Sequence, residues 1–321
     1  MTISFRNRII LSSGLAAPEE VTERALSPDG RVVLYGPGPD EPIHNASELR
    51  VYGWNYPTPN DALVAGRLWR GHVSIAFAHL DIGMELGPED ERAVIPEYGF
   101  GPPYFFRPPD QRMRDVPKLL IFQTDQEPQW SGLAADVQRL LLLDGFVTGP
   151  IAWVAEHPYS LDRQQQLAYS LFHASYFENN EETRHILLVT AIEAMLPPKG
   201  QLPSSIVGVI DTLKARLEEL DDPLNDNTRD RVAKLLEDSK FEGIARRGRR
   251  LVSILGTERF SDEKPKDYFM RMYDWRSALV HGNLDRPTYV ELDAELRELR
   301  RFVLALLDQM VFGERMPTTW P

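Results

Sequence analysis

The segment YFMRMYDWRSALVHG, residues Tyr268–Gly282, has the spacing of a helix that buries one of its faces. At about 100° per residue, its apolar side chains fall within roughly a third of the helix circumference; these are Phe269, Met272, Tyr273, Leu279 and Val280. Arg276 lies in the middle of that apolar stripe. A guanidinium keeps its charge and is rarely buried alone, so we expect a carboxylate, a phosphate or a second subunit against this helix.

A histidine follows the arginine near the end of the same helix. His281 comes five residues after Arg276, about 140° around an ideal helix, and Gly282 is placed to end that helix. Two arrangements would bring His281 to the site of Arg276. Either the end of the helix places it there, or it meets the Arg276 of a second subunit.

One carboxylate elsewhere in the chain needs a partner as much as Arg276 does. Glu193 lies inside the predicted helix Glu181–Leu196, which is apolar on nearly every side and is therefore expected in the middle of a bundle. Asn180 is the expected N-cap of this helix. The simplest structural interpretation is a Glu193–Arg276 ion pair between two helices, with no chemistry attached to it.

The C-terminal half is predicted to be helical throughout. Further helices are expected at 160–178, 206–220, 228–237, 241–255 and 267–281. The last helix is the clearest, because its apolar residues recur at steps of three and four residues, as in a packed bundle. Those residues are Leu292, Leu296, Leu299, Val303, Leu306 and Met310.

Proline distinguishes the N-terminal half from the rest. Residues 1–150 hold 16 of the 25 prolines, and proline is poor in helix interiors, so we expect strands and loops there. The β-type runs are 3–11, 31–35, 48–54 and 118–123, with one helix that Asn60 would cap and an irregular loop over 96–128. The predicted fold class is α+β. A β-rich α+β domain over residues 1–150 is joined near 149–160 to an all-α helical bundle over residues 158–314.

The composition excludes several classes of protein. The chain of 321 residues has no cysteine, which excludes a disulfide framework, a Cys-ligated zinc, an iron–sulfur cluster and a thiol nucleophile. No apolar run approaches the roughly 20 residues of a membrane span, and the N-terminus lacks the layout of a signal peptide. We therefore expect a soluble, cytoplasmic protein with no membrane partner. The net charge of −12 argues against nucleic-acid binding through bulk charge.

Two motifs together resemble a known family. The sequence YDWRSALVHGN (Tyr273–Asn283) is similar to the motif helix of the HEPN superfamily, particularly its Apea-like branch. The sequence HILLVTAIEAML (His185–Leu196) is similar to the apolar helix of that branch, which carries one embedded Glu. The order of the two motifs, followed by one long closing helix, also agrees. The resemblance covers roughly residues 160–313 and not the first half of the chain.

The resemblance implies a metal-independent endoribonuclease with a toxin or antiviral-defence role, such as abortive infection. Two chains would pair through the helical domain, and the ribose 2′-hydroxyl would attack the adjacent phosphorus to leave a 2′,3′-cyclic phosphate. His281 would be the general acid and base, and Arg276 would hold the scissile phosphate. Ser277 stands where active members often have Asn, His or Asp, and Glu193 and Asn283 would support the site.

The resemblance also leaves a non-catalytic alternative. The superfamily includes inactive members that serve as dimerisation modules or as nucleotide- or RNA-binding modules. Under the nuclease hypothesis, the N-terminal domain would sense a trigger or restrain the nuclease, and a regulatory partner that the sequence does not identify would bind there. No cofactor is implied.

A basic segment is a second candidate for RNA contact. Five cations surround one acidic residue, Glu242, and give a locally positive stretch in an acidic chain. They are Lys240, Arg246, Arg247, Arg249 and Arg250. This basic segment is interpreted either as a track for the RNA backbone or as an ordinary solvated helix face. We expect no metal site, because His72 and His79 are seven residues apart and too distant for a helical zinc clamp.

Overall fold

A computed structural model describes residues 2–15, 20–38, 41–87, 119–125, 147–219, 226–282 and 285–317. The fold is α+β, as predicted: an antiparallel sheet in the first half is followed by a helical region. Most of the predicted loop 96–128 and all of Asn283 lie outside the described residues.

The sheet contains six strands in the part of the chain that is described. They are β1 (Ile3–Leu11), β2 (Glu23–Ala25), β3 (Val32–Tyr35), β4 (Glu48–Tyr56), β5 (Met84–Glu85) and β6 (Leu119–Gln123). The order is β2-β3-β4-β1-β5, and β6 also pairs with β1. All the pairs are antiparallel. The four predicted strands are confirmed, whereas the short strands β2 and β5 were not predicted.

One helix covers the apolar face of this sheet. Helix α1 (Pro59–His79) packs Val73 and Phe77 against Phe5 and other core residues of β1. Its N-cap is Thr58, which accepts a hydrogen bond from the backbone N–H of Asp61. The prediction of Asn60 as the cap is wrong, because Pro59 already occupies the first turn, where its fixed φ suits the start of a helix.

Eight further helices follow in the described residues. They are α2 (Thr148–Glu156), α3 (Arg163–Ala174), α4 (Glu181–Ala194), α5 (Ser204–Glu218), α6 (Asp226–Asp238), α7 (Ile244–Leu251), α8 (Pro265–His281) and α9 (Tyr289–Val311). Seven predicted helices are confirmed with changed ends, and Asn180 caps α4 by accepting from Thr183 N–H. Helix α2 was not predicted and lies where the two domains were expected to join.

The sheet and the helical region share a packed boundary. Ile75 and Ala78 of α1 belong to the apolar core of the helical region, while Ile151 and Val154 of α2 belong to the cores on either side. Across that boundary His79 at the end of α1 is close to α9. In the ranges that the structure describes, no helix is both long and apolar enough to cross a membrane.

Candidate functional site

Helices α4 and α8 carry the predicted site, and a buried histidine ties them together. His185 of α4 donates from Nε2 to the carbonyl oxygen of Met272 in α8, at 3.1 Å. Burial lowers the pKa of His185 to about 4, so the ring is neutral at neutral pH. Ile192 of α4 and Phe269 of α8 also lie in one apolar core, so the two helices are in contact through apolar packing as well. Nothing in the sequence pattern predicts this structural role of His185.

The predicted partner of Arg276 is confirmed. Arg276 Nη2 lies 3.2 Å from Glu193 Oε2, and the two side chains are 24% and 16% exposed. Arg276 Nε and Glu193 Oε1 are both buried and have no hydrogen-bond partner among the residues that the structure describes. Burial raises the pKa of the Glu193 carboxyl, and the nearby charge of Arg276 only partly offsets that effect. The pair is therefore a single contact between two groups that are each partly unsatisfied.

The predicted acid–base residue lies at the end of α8. His281 is the last residue of the helix and is exposed to solvent. Gly282 follows with φ +66°, a left-handed conformation that favours glycine, and its N–H donates to the carbonyl of Ala278. Ser277, directly after Arg276, is half-buried.

Arg276 and His281 leave α8 in different directions. Five residues correspond to about 7.5 Å along a helix and about 140° around it. Within one chain the two side chains therefore do not converge from a common face of α8. A site that uses both groups on one phosphate is more readily formed by two copies of this helix end.

Most of the basic segment is held by neighbouring acceptors. Glu242, which is buried, lies 3.2 Å from Arg246 Nε and 2.6 Å from Arg250 Nη1. Arg247 Nε donates to the carbonyl of Pro197 at 2.7 Å. These contacts fix α7 against the segment that follows α4.

Lys240 and Arg249 of the basic segment differ in their partners. Lys240 Nζ lies 2.7 Å from Asp211 and 2.8 Å from Glu237, so its charge is compensated. Arg249 is exposed and has no partner among the residues that the structure describes. Gly248 lets α7 approach α8, because a Cβ there would collide with the ring of Phe269. Among the described residues, Arg249 is therefore the one cation of the basic segment without a polar partner.

A second charged network, which the sequence did not reveal, anchors the other half of α8. Arg271 lies 2.7 Å from Glu263 and 3.2 Å from Glu295 of α9, and its guanidinium also stacks over two aromatic rings. Tyr268 donates to Glu295 at 3.1 Å.

A shallow cavity of about 430 Å³ lies nearby, lined in part by Arg259, Asp262 and Arg297, and contains neither Arg276 nor His281.

The described residues contain no group of three or more His, Asp or Glu side chains that could hold a metal ion. No family model matches the chain, and no curated protein or solved structure matches it significantly. The resemblance to the HEPN superfamily therefore stays a prediction based on the motifs in α4 and α8.

Proposed function

We propose that this protein is a metal-independent endoribonuclease with a toxin or antiviral-defence role, and that Arg276 and His281 are its reacting groups. The observation that supports the proposal is the end of α8, which holds an exposed histidine and a partly exposed arginine within two turns of helix. Imidazole exchanges protons readily near neutral pH, and a guanidinium fork matches the oxygens of a phosphate. The biological role comes from the family resemblance alone.

The proposed reaction needs one proton acceptor and one proton donor. A base removes the proton of the ribose 2′-hydroxyl as that oxygen bonds to the adjacent phosphorus. The bond from phosphorus to the 5′-oxygen breaks, and an acid protonates the leaving oxygen. Arg276 would compensate the charge on the phosphate oxygens, and His281 would supply the proton transfers. Ser277 would add a hydrogen bond, since its hydroxyl both donates and accepts.

The proposal includes a homodimer formed through the helical region. The angle between Arg276 and His281 on α8 supports this, because a two-fold arrangement can present the arginine of one chain beside the histidine of the other. The rest of the acidic surface would repel RNA, so binding would be confined to the paired sites. RNA affinity should then fall with salt, as for any phosphate-binding site that releases counterions.

The test compares the wild type with His281→Ala, using full-length protein and a 5′-labelled RNA. We expect the wild type to cleave in the presence of EDTA and to leave 2′,3′-cyclic phosphate ends, and His281→Ala to be folded and inactive. Lys266→Ala, an exposed change at the opposite end of α8, serves as the control. Absence of cleavage by pure wild-type protein, or undiminished cleavage by His281→Ala, would reject the proposal.

A non-catalytic binding or dimerisation module is the second candidate. The observation in its favour is the Glu193–Arg276 pair itself, which occupies the arginine within one chain. In that case Arg276→Ala would lower stability and remove no activity. Thermal unfolding of Arg276→Ala, measured beside the RNA cleavage assay, separates this candidate from the first.

A further inference from the structure

Two of the buried or partly buried Arg–Glu pairs in the described residues, Arg8–Glu48 and Arg276–Glu193, are built differently. Arg8 donates from Nε and Nη2 to both oxygens of Glu48, at 2.7 and 2.6 Å, and the two side chains are 7% and 6% exposed. Burial acts to raise the pKa of Glu48, but hydrogen bonds and charge from Arg8 and Arg50 hold it below its usual value. This is the geometry expected of a structural ion pair.

The Glu193–Arg276 pair lacks each of these features. It has one contact at 3.2 Å instead of two short hydrogen bonds, and Glu193 Oε1 and Arg276 Nε have no partner within the described ranges. The pKa of Glu193 is raised rather than lowered, because Arg276 does not compensate for burial. Arg276 therefore stabilises this carboxylate weakly, and the carboxylate can be displaced by a better acceptor.

The better acceptor is identified by chemistry. In the described part of the chain the Nε–H of Arg276 has no acceptor, and the neighbouring Nη2 makes a single contact of 3.2 Å. Two oxygens of one phosphate can accept from these two nitrogens in the bidentate manner that a guanidinium favours. The side chain is partly exposed but Nε itself is buried, so an anion reaches both nitrogens only when the Glu193–Arg276 contact opens.

We propose that Glu193 is an internal competitor that occupies Arg276 until a phosphodiester of RNA displaces it. The Glu193 carboxylate and the substrate phosphate are alternative partners of the same guanidinium. In the resting protein Glu193 lowers the affinity for RNA, and binding requires the Glu193–Arg276 contact to open. This inference rests on the proposed function in one respect, namely that the displacing anion is RNA.

The role assigned to Glu193 is opposite to that of a supporting residue. A supporting carboxylate would orient Arg276 for the phosphate, so its removal would weaken RNA binding. A competing carboxylate has the reverse effect, and its removal strengthens binding. The sign of one measured change therefore decides between the two roles.

The experiment measures binding without cleavage. The probe is a fluorescein-labelled, fully 2′-O-methylated oligoribonucleotide, which lacks the attacking hydroxyl, and affinity is read by fluorescence anisotropy with full-length protein. We expect Glu193→Gln to bind the probe about fivefold more tightly than the wild type. The gain should disappear in the double variant Glu193→Gln/Arg276→Ala.

Glu182→Gln is the matched control. Glu182 lies on the same helix and its removal changes the net charge equally, but its partner is Arg286, at 3.7 Å. It should bind like the wild type, which excludes a general effect of charge. Glu193→Asp keeps the charge and withdraws it by one methylene, and should also strengthen binding. This second variant decides the result if Glu193→Gln proves to be unfolded by circular dichroism.

The outcomes of the binding and cleavage assays are independent. Unchanged or weaker binding by folded Glu193→Gln or Glu193→Asp overturns the competitor role, whether or not the wild type cleaves RNA. Tighter binding that depends on Arg276, together with no cleavage by the wild type, upholds the competitor role and rejects the nuclease.

Discussion

His79 at the end of α1 donates from Nε2 to Asp308 of α9 at 2.8 Å, across the boundary between the sheet half and the helical half. Asp308 is completely buried and also accepts from Arg315 Nε at 3.1 Å and from the backbone N–H of Met316. One carboxylate therefore connects α1, α9 and the segment after α9. Together with the apolar packing of Ile75 and Ala78, this contact joins the two halves of the chain.

Replacing that carboxylate should be strongly destabilising. Asp308→Ala leaves His79 and the backbone N–H of Met316 without their buried acceptor and leaves Arg315 with Glu258 alone, and we expect a loss of about 1–3 kcal/mol in the free energy of unfolding. Urea unfolding followed by circular dichroism measures it. Asp293→Ala, an exposed change on the same helix, should stay within about 0.5 kcal/mol of the wild type. A similar small loss for Asp308→Ala would contradict the structural role given to Asp308.

Replacing glycine by alanine should change stability in opposite directions at the end of α8 and inside α5. Gly282 has φ +66°, so Gly282→Ala should cost about 1 kcal/mol of stability. Gly208 lies inside α5, and a Cβ there would meet no neighbouring atom. Gly208→Ala should therefore stabilise the protein by about 0.5–1 kcal/mol. Thermal unfolding of the two variants side by side checks both, and equal shifts in one direction would contradict the left-handed cap.

The sequence predicts those parts of the site in which a residue departs from the pattern of its own helix. Glu193 and Arg276 were each a single charge in an apolar helix, and two such residues in one bundle are expected to pair. Gly282 ended a periodic pattern at the position where helices commonly take a left-handed residue. Both predictions needed only the chain's local pattern and the cost of an unpaired buried charge.

The remaining features depend on distant contacts that leave no local pattern. Helix α2 has Gly149 and Pro150 in its first turn, so the sequence predicts a junction there, whereas the helix forms because it buries Ile151 and Val154. The strands β2 and β5 are too short to show alternation and exist through pairing with their neighbours. The acceptors that hold the basic segment came from other helices and loops, so the sequence showed five cations and only one of their partners.

The pH dependence of stability should reveal the unfavourable burial of Glu193. Because its pKa is raised in the folded state, the native protein holds the proton of Glu193 more tightly than the unfolded chain does. The contribution of this group is therefore favourable below the ordinary value of 4.5 and is lost as the pH rises through the folded pKa. Relative to Glu193→Gln, the wild type should lose thermal stability as the pH increases from 4 to 7.

The buried pair in the sheet gives the opposite slope. The pKa of Glu48 is lowered in the folded state, so its contribution is present above 4.5 and is lost as the pH falls through the folded pKa. Glu48→Gln should therefore lose most stability near neutral pH. Melting temperatures of the wild type and the two Gln variants across this range test both signs, and parallel curves for Glu193→Gln and Glu48→Gln would contradict the contrast between the two pairs.

Variants of two arginines in the basic segment can separate RNA contact from a structural role. Arg249 has no partner among the described residues, whereas Arg250 Nη1 lies 2.6 Å from the buried Glu242. If the segment contacts RNA, Arg249→Ala should weaken binding of the 2′-O-methyl probe and reduce the slope of log affinity against log salt by about 1, with little change in stability. Arg250→Ala should instead lower the melting temperature, because it removes the closer of the two arginines from a buried carboxylate. An unchanged salt slope for Arg249→Ala would identify the segment as an ordinary solvated helix face that holds α7 in place.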